Sequence, residues 1–193
     1  TMSKVTKKFE KKFAKYLGVK YALMVNSGSS ANLLAFFALI NPKSKNRLKP
    51  KSECIIPAIC WSTSLWPIVQ AGLKPVFVDV NLQTFNIDID DLKKKITKKT
   101  KAILAVHVLG NSTNMDELKK IIKKRKLTLI EDTCESLGSK YNSKKLGSFG
   151  RFGTFSFFVS HQISAGEGGM IVCNDYNDYK IIHSLRSHGW DRG

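Results

Sequence analysis

Short apolar runs alternate with amphipathic segments along most of this chain, and that alternation restricts the fold more than any other feature. Tyr21 to Val25, Cys54 to Ile56, Pro75 to Val80, Ala102 to Val106 and Leu127 to Ile130 have the length and β-branched content of buried strands. Between them lie segments with helical spacing. Val5 to Leu17 places Phe9, Phe13, Tyr16 and Leu17 on one face, and Gly18 follows as a C-terminal cap. Ala31 to Ile40, Ser62 to Ala71, Met115 to Lys124 and Asp175 to Ser187 also read as helices, with Asn114 or Thr113 capping the fourth of these five. Pro67 belongs in a first turn or marks a kink. Phe155 to Phe158 and Met170 to Val172 add two strands. Strands that alternate with helices predict an α/β domain built on a mainly parallel sheet.

The 193 residues suffice for one domain with a sizeable core. No apolar run approaches the roughly 20 residues of a membrane span, and no secretory signal is recognisable. Cys54, Cys60, Cys134 and Cys173 are scattered without a Cys-x-x-Cys pair, which fits reduced thiols in the cytoplasm and neither a disulfide framework nor a metal site. The formal net charge of +17 would attract anions, nucleic acid or a nucleotide-sugar diphosphate among them. Its lysines crowd into 93–99 and 119–126, however, as solvated helix faces do. No nucleic-acid motif accompanies them, so neither a nucleic-acid nor a membrane partner is expected.

Several residues carry possible chemistry. The turn Asn26-Ser-Gly-Ser-Ser30 between a strand and a helix aims backbone N–H groups at a positive helix end, which suits a phosphate dianion or an ordinary cap. Trp61 can stack on a flat ligand or fill a core. Asp132, at the end of a buried strand, needs a partner. Glu131 beside it reads as a supporting or surface carboxylate. His107 reads equally as a pocket residue or a satisfied core histidine.

These segments together resemble the sugar aminotransferase family, known as DegT/DnrJ/EryC1/StrS, whose members use pyridoxal phosphate on a fold-type I scaffold. The resemblance runs from about Phe9 onward. It implies a large domain with a mainly parallel seven-stranded sheet flanked by helices. On this reading residues 1–193 form the N-terminal, cofactor-binding domain of a chain about twice as long, with a small C-terminal domain to follow. Gly28, Ser29, Ser30 and Ser156 take the cofactor phosphate, and Trp61 stacks on its pyridine. Ile130-Glu-Asp-Thr-Cys-Glu-Ser-Leu-Gly138 is similar to a family run in which the aspartate, here Asp132, pairs with the protonated ring nitrogen. Glu135 falls near the ring hydroxyl, where most members carry glutamine or histidine; an acidic residue occurs there in a dehydratase branch.

The run Thr154-Phe-Ser-Phe-Phe-Val-Ser-His-Gln-Ile-Ser-Ala-Gly-Glu-Gly-Gly169 carries one departure. Most members place at position 161 the lysine that forms a Schiff base with the cofactor; this chain has His161, and imidazole cannot form that bond. Histidine at this place is similar to the branch that uses pyridoxamine phosphate to remove the C3 hydroxyl of a nucleotide-linked 4-keto-6-deoxyhexose in deoxysugar and O-antigen biosynthesis. There His161 would take a proton from the cofactor methylene and then serve as an acid, work for which imidazole is suited because it titrates near pH 6.5. Branch members that carry a [2Fe–2S] cluster have a cysteine where Cys134 stands and a later Cys-x-Cys; Arg192 occupies the first of those later positions, which counts against a cluster and its reductase. Glutamate as amino donor and a homodimer with shared active sites complete what the resemblance implies. Two other readings remain: a nucleotide-sugar aminotransferase using Lys140 or Lys145, and a cofactor-binding relative without catalysis.

Overall fold

The computed structural model describes residues 3–190. Six helices and nine strands follow in order: α1 Lys4–Leu17, β1 Tyr21–Val25, α2 Gly28–Ile40, β2 Glu53–Pro57, α3 Ser62–Gln70, β3 Lys74–Val78, α4 Ile89–Lys95, β4 Thr100–Val106, α5 Met115–Arg125, β5 Thr128–Asp132, β6 Lys140–Tyr141, β7 Lys144–Lys145, β8 Phe152–Ser156, β9 Gly169–Cys173 and α6 Tyr176–Arg186. Seven strands form one sheet in the order β1-β9-β8-β5-β4-β2-β3. Five of them, β8 through β3, pair in parallel, and β9 runs antiparallel to both β8 and β1. The expected mainly parallel α/β sheet is therefore present.

Strand periodicity explains the layers. Successive side chains point to opposite faces, so Cys54 and Ile56 join one cluster with Phe36, Leu39, Ile68 and Ile182, while Ile55 joins another with Leu92, Met115 and Leu118. α2, α3 and α6 thus cover one face, and α4 and α5 the other. α1 covers the far end of that second face, setting Phe13 and Leu17 against Phe155, Phe157 and Val172.

Local chemistry sets the helix ends. Gly18 adopts φ 81° and returns its N–H to Ala14 O at 2.9 Å, the expected glycine cap. Asn114 Oδ1 accepts from Glu117 N at 3.2 Å and is the cap of α5. Four expectations shift. The strand expected over Phe155 to Phe158 is β8, Phe152–Ser156. Gly28 to Ser30 form the first turn of α2 rather than a preceding loop, because Ser27 already caps the helix by accepting from Ser30 N. Pro67 sits inside α3, beyond its first turn. The third strand ends at Val78, and Val80 makes only an isolated bridge to Ile87. The small β6–β7 hairpin left no periodic signal, having two residues in each strand.

The lysine clusters behave as solvated helix faces. Lys93 and Lys95 pair with Asp90 and Asp91 along α4, and Lys119 and Lys120 with Asp116 and Glu117 along α5. Among the described residues, no helix is long and apolar enough to cross a membrane.

Candidate active site at the carboxyl edge of the sheet

The ends of β1, β2, β4, β5 and β8 meet at one edge of the sheet, where loops of parallel α/β proteins build their sites. A cavity of about 570 Å³ opens there. Gly28, Ser29, Trp61, Asp132, Glu135, Ser156 and His161, which the sequence motifs single out, all line it. They come from segments far apart in the chain, and only the closed sheet brings them together.

Ser30 does not line it. Its N–H donates to Ser27 Oγ at 3.1 Å and its hydroxyl oxygen accepts from Ser27 Oγ at 3.2 Å, so the cap takes the Ser30 N–H. Close packing explains the two glycines at this end of α2. A Cβ on Gly28 would lie 2.7 Å from both Cys134 Sγ and Ser156 Cβ, and one on Gly169 would collide with the Ser27 carbonyl. Backbone can therefore approach backbone, and the α2 N-terminus rests directly against β8 and β9. Its first-turn N–H groups and the Ser29 hydroxyl, which lies 3.0 Å from Thr63 Oγ1, face a region suited to a phosphate.

Asp132 is the best-anchored carboxylate in the cavity. Its Oδ2 accepts from Asn32 Nδ2 and Ser64 Oγ, each at 2.7 Å, and its Oδ1 accepts from Cys134 N at 3.2 Å. Burial, then the nearby Asp132 charge, push the Cys134 thiol well above its ordinary range, so it stays neutral. Burial and the same charge raise the Cys60 thiol.

Glu131 is not a surface group. It is fully buried and accepts from Gly147 N at 2.7 Å, Phe149 N at 2.7 Å and Gly150 N at 2.6 Å. His107 Nε2 lies 3.2 Å from its Oε1. Glu131 thereby gathers the 147–150 loop, and His107 serves this structural carboxylate while its backbone N–H binds Asp132 O at 3.0 Å.

His161 stands on the turn after β8, its N–H bonded to Phe158 O at 3.0 Å. Gln162 Nε2 ties this turn to Glu135 O at 2.6 Å, and Glu135 Oε2 accepts from Leu109 N at 3.0 Å. No lysine is among the residues lining the cavity. Lys140 and Lys145 lie on the β6–β7 hairpin, with the Lys145 ammonium 4.5 Å over the Tyr16 ring. Among the described residues no group of His, Cys, Asp or Glu could hold a metal ion. Arg192, read against an iron–sulfur cluster, lies outside the described residues.

Asn32, Ser64 and Thr154 escaped the motif reading. A buried polar residue inside an apolar helix, as Asn32 is in α2, was the only local hint.

A family model, the DegT/DnrJ/EryC1/StrS aminotransferase family, matches residues 1–193. The chain belongs to that family. GDP-4-keto-6-deoxy-D-mannose 3-dehydratase of Escherichia coli O55:H7 is 51% identical over 192 residues, which cover 100% of this chain and 49% of that protein. The solved structure of the E. coli enzyme of that name with bound hydrated PLP matches with a TM-score of 0.96 at 51% identity, across 100% of this chain and 49% of the other. A GDP-4-keto-6-deoxymannose-3-dehydratase structure with a trapped PLP-glutamate geminal diamine matches with a TM-score of 0.95 at 50% identity, across 100% and 50%. The chain spans about half the length of the relatives it matches. This DegT/DnrJ/EryC1/StrS member has the fold-type I sheet of the pyridoxal-phosphate enzymes.

Proposed function

We propose that the chain is the cofactor-binding domain of a pyridoxamine-phosphate-dependent dehydratase that removes the C3 hydroxyl of a nucleotide-linked 4-keto-6-deoxyhexose. GDP is the nucleotide of the 51%-identical relative and the first choice here. The observation that carries the reading is a cavity with His161, and no lysine, among its lining residues.

The residues fit the cofactor. Gly28 and Ser29 offer N–H groups and a hydroxyl at a helix N-terminus, where a phosphate dianion is stabilised. Trp61, largely exposed on the cavity wall, offers a flat apolar surface for a ring. Asp132 keeps acceptor capacity for a ring N–H. Bound there, pyridoxamine phosphate supplies an amine that joins a ketone carbon and a cationic ring that takes up an electron pair.

The protein then holds and moves protons. Asp132 holds the proton on the ring nitrogen. His161 takes a proton from the cofactor C4′ carbon and returns one to the departing C3 oxygen, a two-way role open to imidazole. Glu135, anchored through Leu109 N–H, would meet the ring hydroxyl of the bound cofactor. Ser156, whose side chain lies against Gly28, would meet the phosphate. Glutamate is the amino donor that restores the cofactor amine, in line with the glutamate adduct of the relative.

A homodimer completes the site on this reading. Ile59, Trp61 and Phe158 line the cavity yet stay exposed, Trp61 most of all, and Leu109, Val159 and Ile163, neighbours of other site residues in the chain, are exposed too. Such an apolar rim marks a surface that a partner covers. The remaining half of the protein supplies the small domain. Four free cysteines suit a reducing compartment, the cytoplasm.

The test uses the full-length protein with pyridoxamine phosphate, glutamate and GDP-4-keto-6-deoxymannose, with sugar products followed by mass spectrometry. Loss of the C3 oxygen is expected. A stable 4-amino sugar as sole product would establish an aminotransferase instead. Cofactor binding without turnover would leave a non-catalytic relative.

A further inference from the structure

Asp132 is held by a chain of buried side chains whose donor and acceptor directions can be worked out from its own charge. A carboxylate only accepts, so the Asn32 atom 2.7 Å from Asp132 Oδ2 must be the NH2 nitrogen. Asn32 Oδ1 then points the other way, to Thr154 Oγ1 at 2.6 Å, and Thr154 must donate. The remaining amide hydrogen of Asn32 faces Thr63 O at 3.5 Å. That carbonyl is available because residue 67, four places on in α3, is proline and has no N–H to give it. Ser64 Oγ adds the second donor to Asp132 Oδ2. Asn32, Ser64 and Thr154 are each 1% exposed or less.

The consequence is an asymmetric carboxylate. Oδ2 is filled by two donors at 2.7 Å, whereas Oδ1 takes the longer bond from Cys134 N, with the weakly donating Cys134 thiol also against this carboxylate. We propose that Thr154, Asn32 and Ser64 are positioning residues that clamp Asp132 by Oδ2 and so reserve Oδ1 for the ring N–H of the bound cofactor. None of the three touches the reacting atoms; they act through Asp132. The inference rests on the cofactor reading above.

The experiment uses the full-length protein loaded with pyridoxamine phosphate labelled with nitrogen-15 in the ring. The ring-nitrogen chemical shift reports whether the Asp132 contact holds the proton. Asn32→Leu and Thr154→Val are expected to lose the protonated-ring signal at a pH where wild type keeps it. They should lower kcat by about 10- to 100-fold, the range that follows loss of outer partners around a metal ligand. The sugar KM should stay unchanged. Thr154→Ser keeps the donor and should restore both signal and rate. Asn32→Leu or Thr154→Val proteins that fold, keep the signal and turn over within twofold of wild type would overturn the proposal. If Asn32→Leu does not fold, the Thr154→Val and Thr154→Ser pair decides. Asp132→Asn separates the two levels: if it too keeps the ring signal and the rate, the cofactor assignment itself fails, whatever the clamp variants do.

Discussion

Glu131→Gln is expected to cost this domain a measurable part of its stability, although the change is one atom in size. The Glu131 carboxylate is fully buried and meets four donors, two on each oxygen: Gly147 N and His107 Nε2 at Oε1, Phe149 N and Gly150 N at Oε2. A glutamine must place its NH2 group at one of those positions. With the NH2 at the Oε2 position, Phe149 N and Gly150 N both lose their acceptor; at the Oε1 position His107 can shift its ring proton and accept, which leaves Gly147 N alone without one. A buried donor left without an acceptor costs about 1–3 kcal/mol, and that single loss sets the cost of the better arrangement. Native domains hold only about 5–15 kcal/mol in total. Glu131→Ala strands all four donors and should not fold. The assay is urea unfolding followed by tryptophan fluorescence, comparing midpoints at a constant slope. A Glu131→Gln protein within about 1 kcal/mol of wild type, below the cost of one stranded donor, would refute the reasoning.

His161→Lys should yield a borohydride-reducible adduct with pyridoxal phosphate, seen as a mass increase on the peptide holding residue 161; absence of the adduct would show that this position does not reach the cofactor carbon. Gly169→Ala should weaken cofactor binding and lower the unfolding midpoint, because its methyl group would meet the Ser27 carbonyl and push α2 off β9; equilibrium binding of pyridoxamine phosphate measures the displacement. Asp175 caps α6 by accepting from Asn177 N and Asp178 N, so Asp175→Ala should cost about 1 kcal/mol in urea unfolding. The Asp178 N–H, ahead of Lys45, holds the Asp175 carboxyl below the usual carboxylate range. A depressed folded value means that the cap's contribution is complete above about pH 4 and disappears as pH falls through that value. The wild type and Asp175→Ala midpoints should therefore converge in acid.

The motifs led to a single cavity because each carries its own local physics. Ser27 to Ser29 stand where a strand gives way to a helix, so they had to reach a helix N-terminus. Asp132 ends a buried strand, so it had to reach the carboxyl edge of the sheet. His161 follows another strand at the same edge. Ser30 is the exception, because the motif shows four polar residues and not which of them the cap consumes.

Period and punctuation alone determined the alternating elements and the helix ends at Gly18 and Asn114, since each depends on neighbours in the chain, while the meaning of His161 came from the family resemblance. Tertiary structure alone decided which strands are neighbours, the reversal of β9, the burial of Glu131, and the meeting of Asn32, Ser64 and Thr154 around Asp132. Asn32 and Asp132 lie 100 positions apart, and Asn32 and Thr154 lie 122 apart. A local pattern records which face of an element is apolar. It does not record which distant donor comes to a buried carboxylate, because that partner is chosen only when α2, α3, β5 and β8 close on one another and exclude the water that would otherwise satisfy the charge.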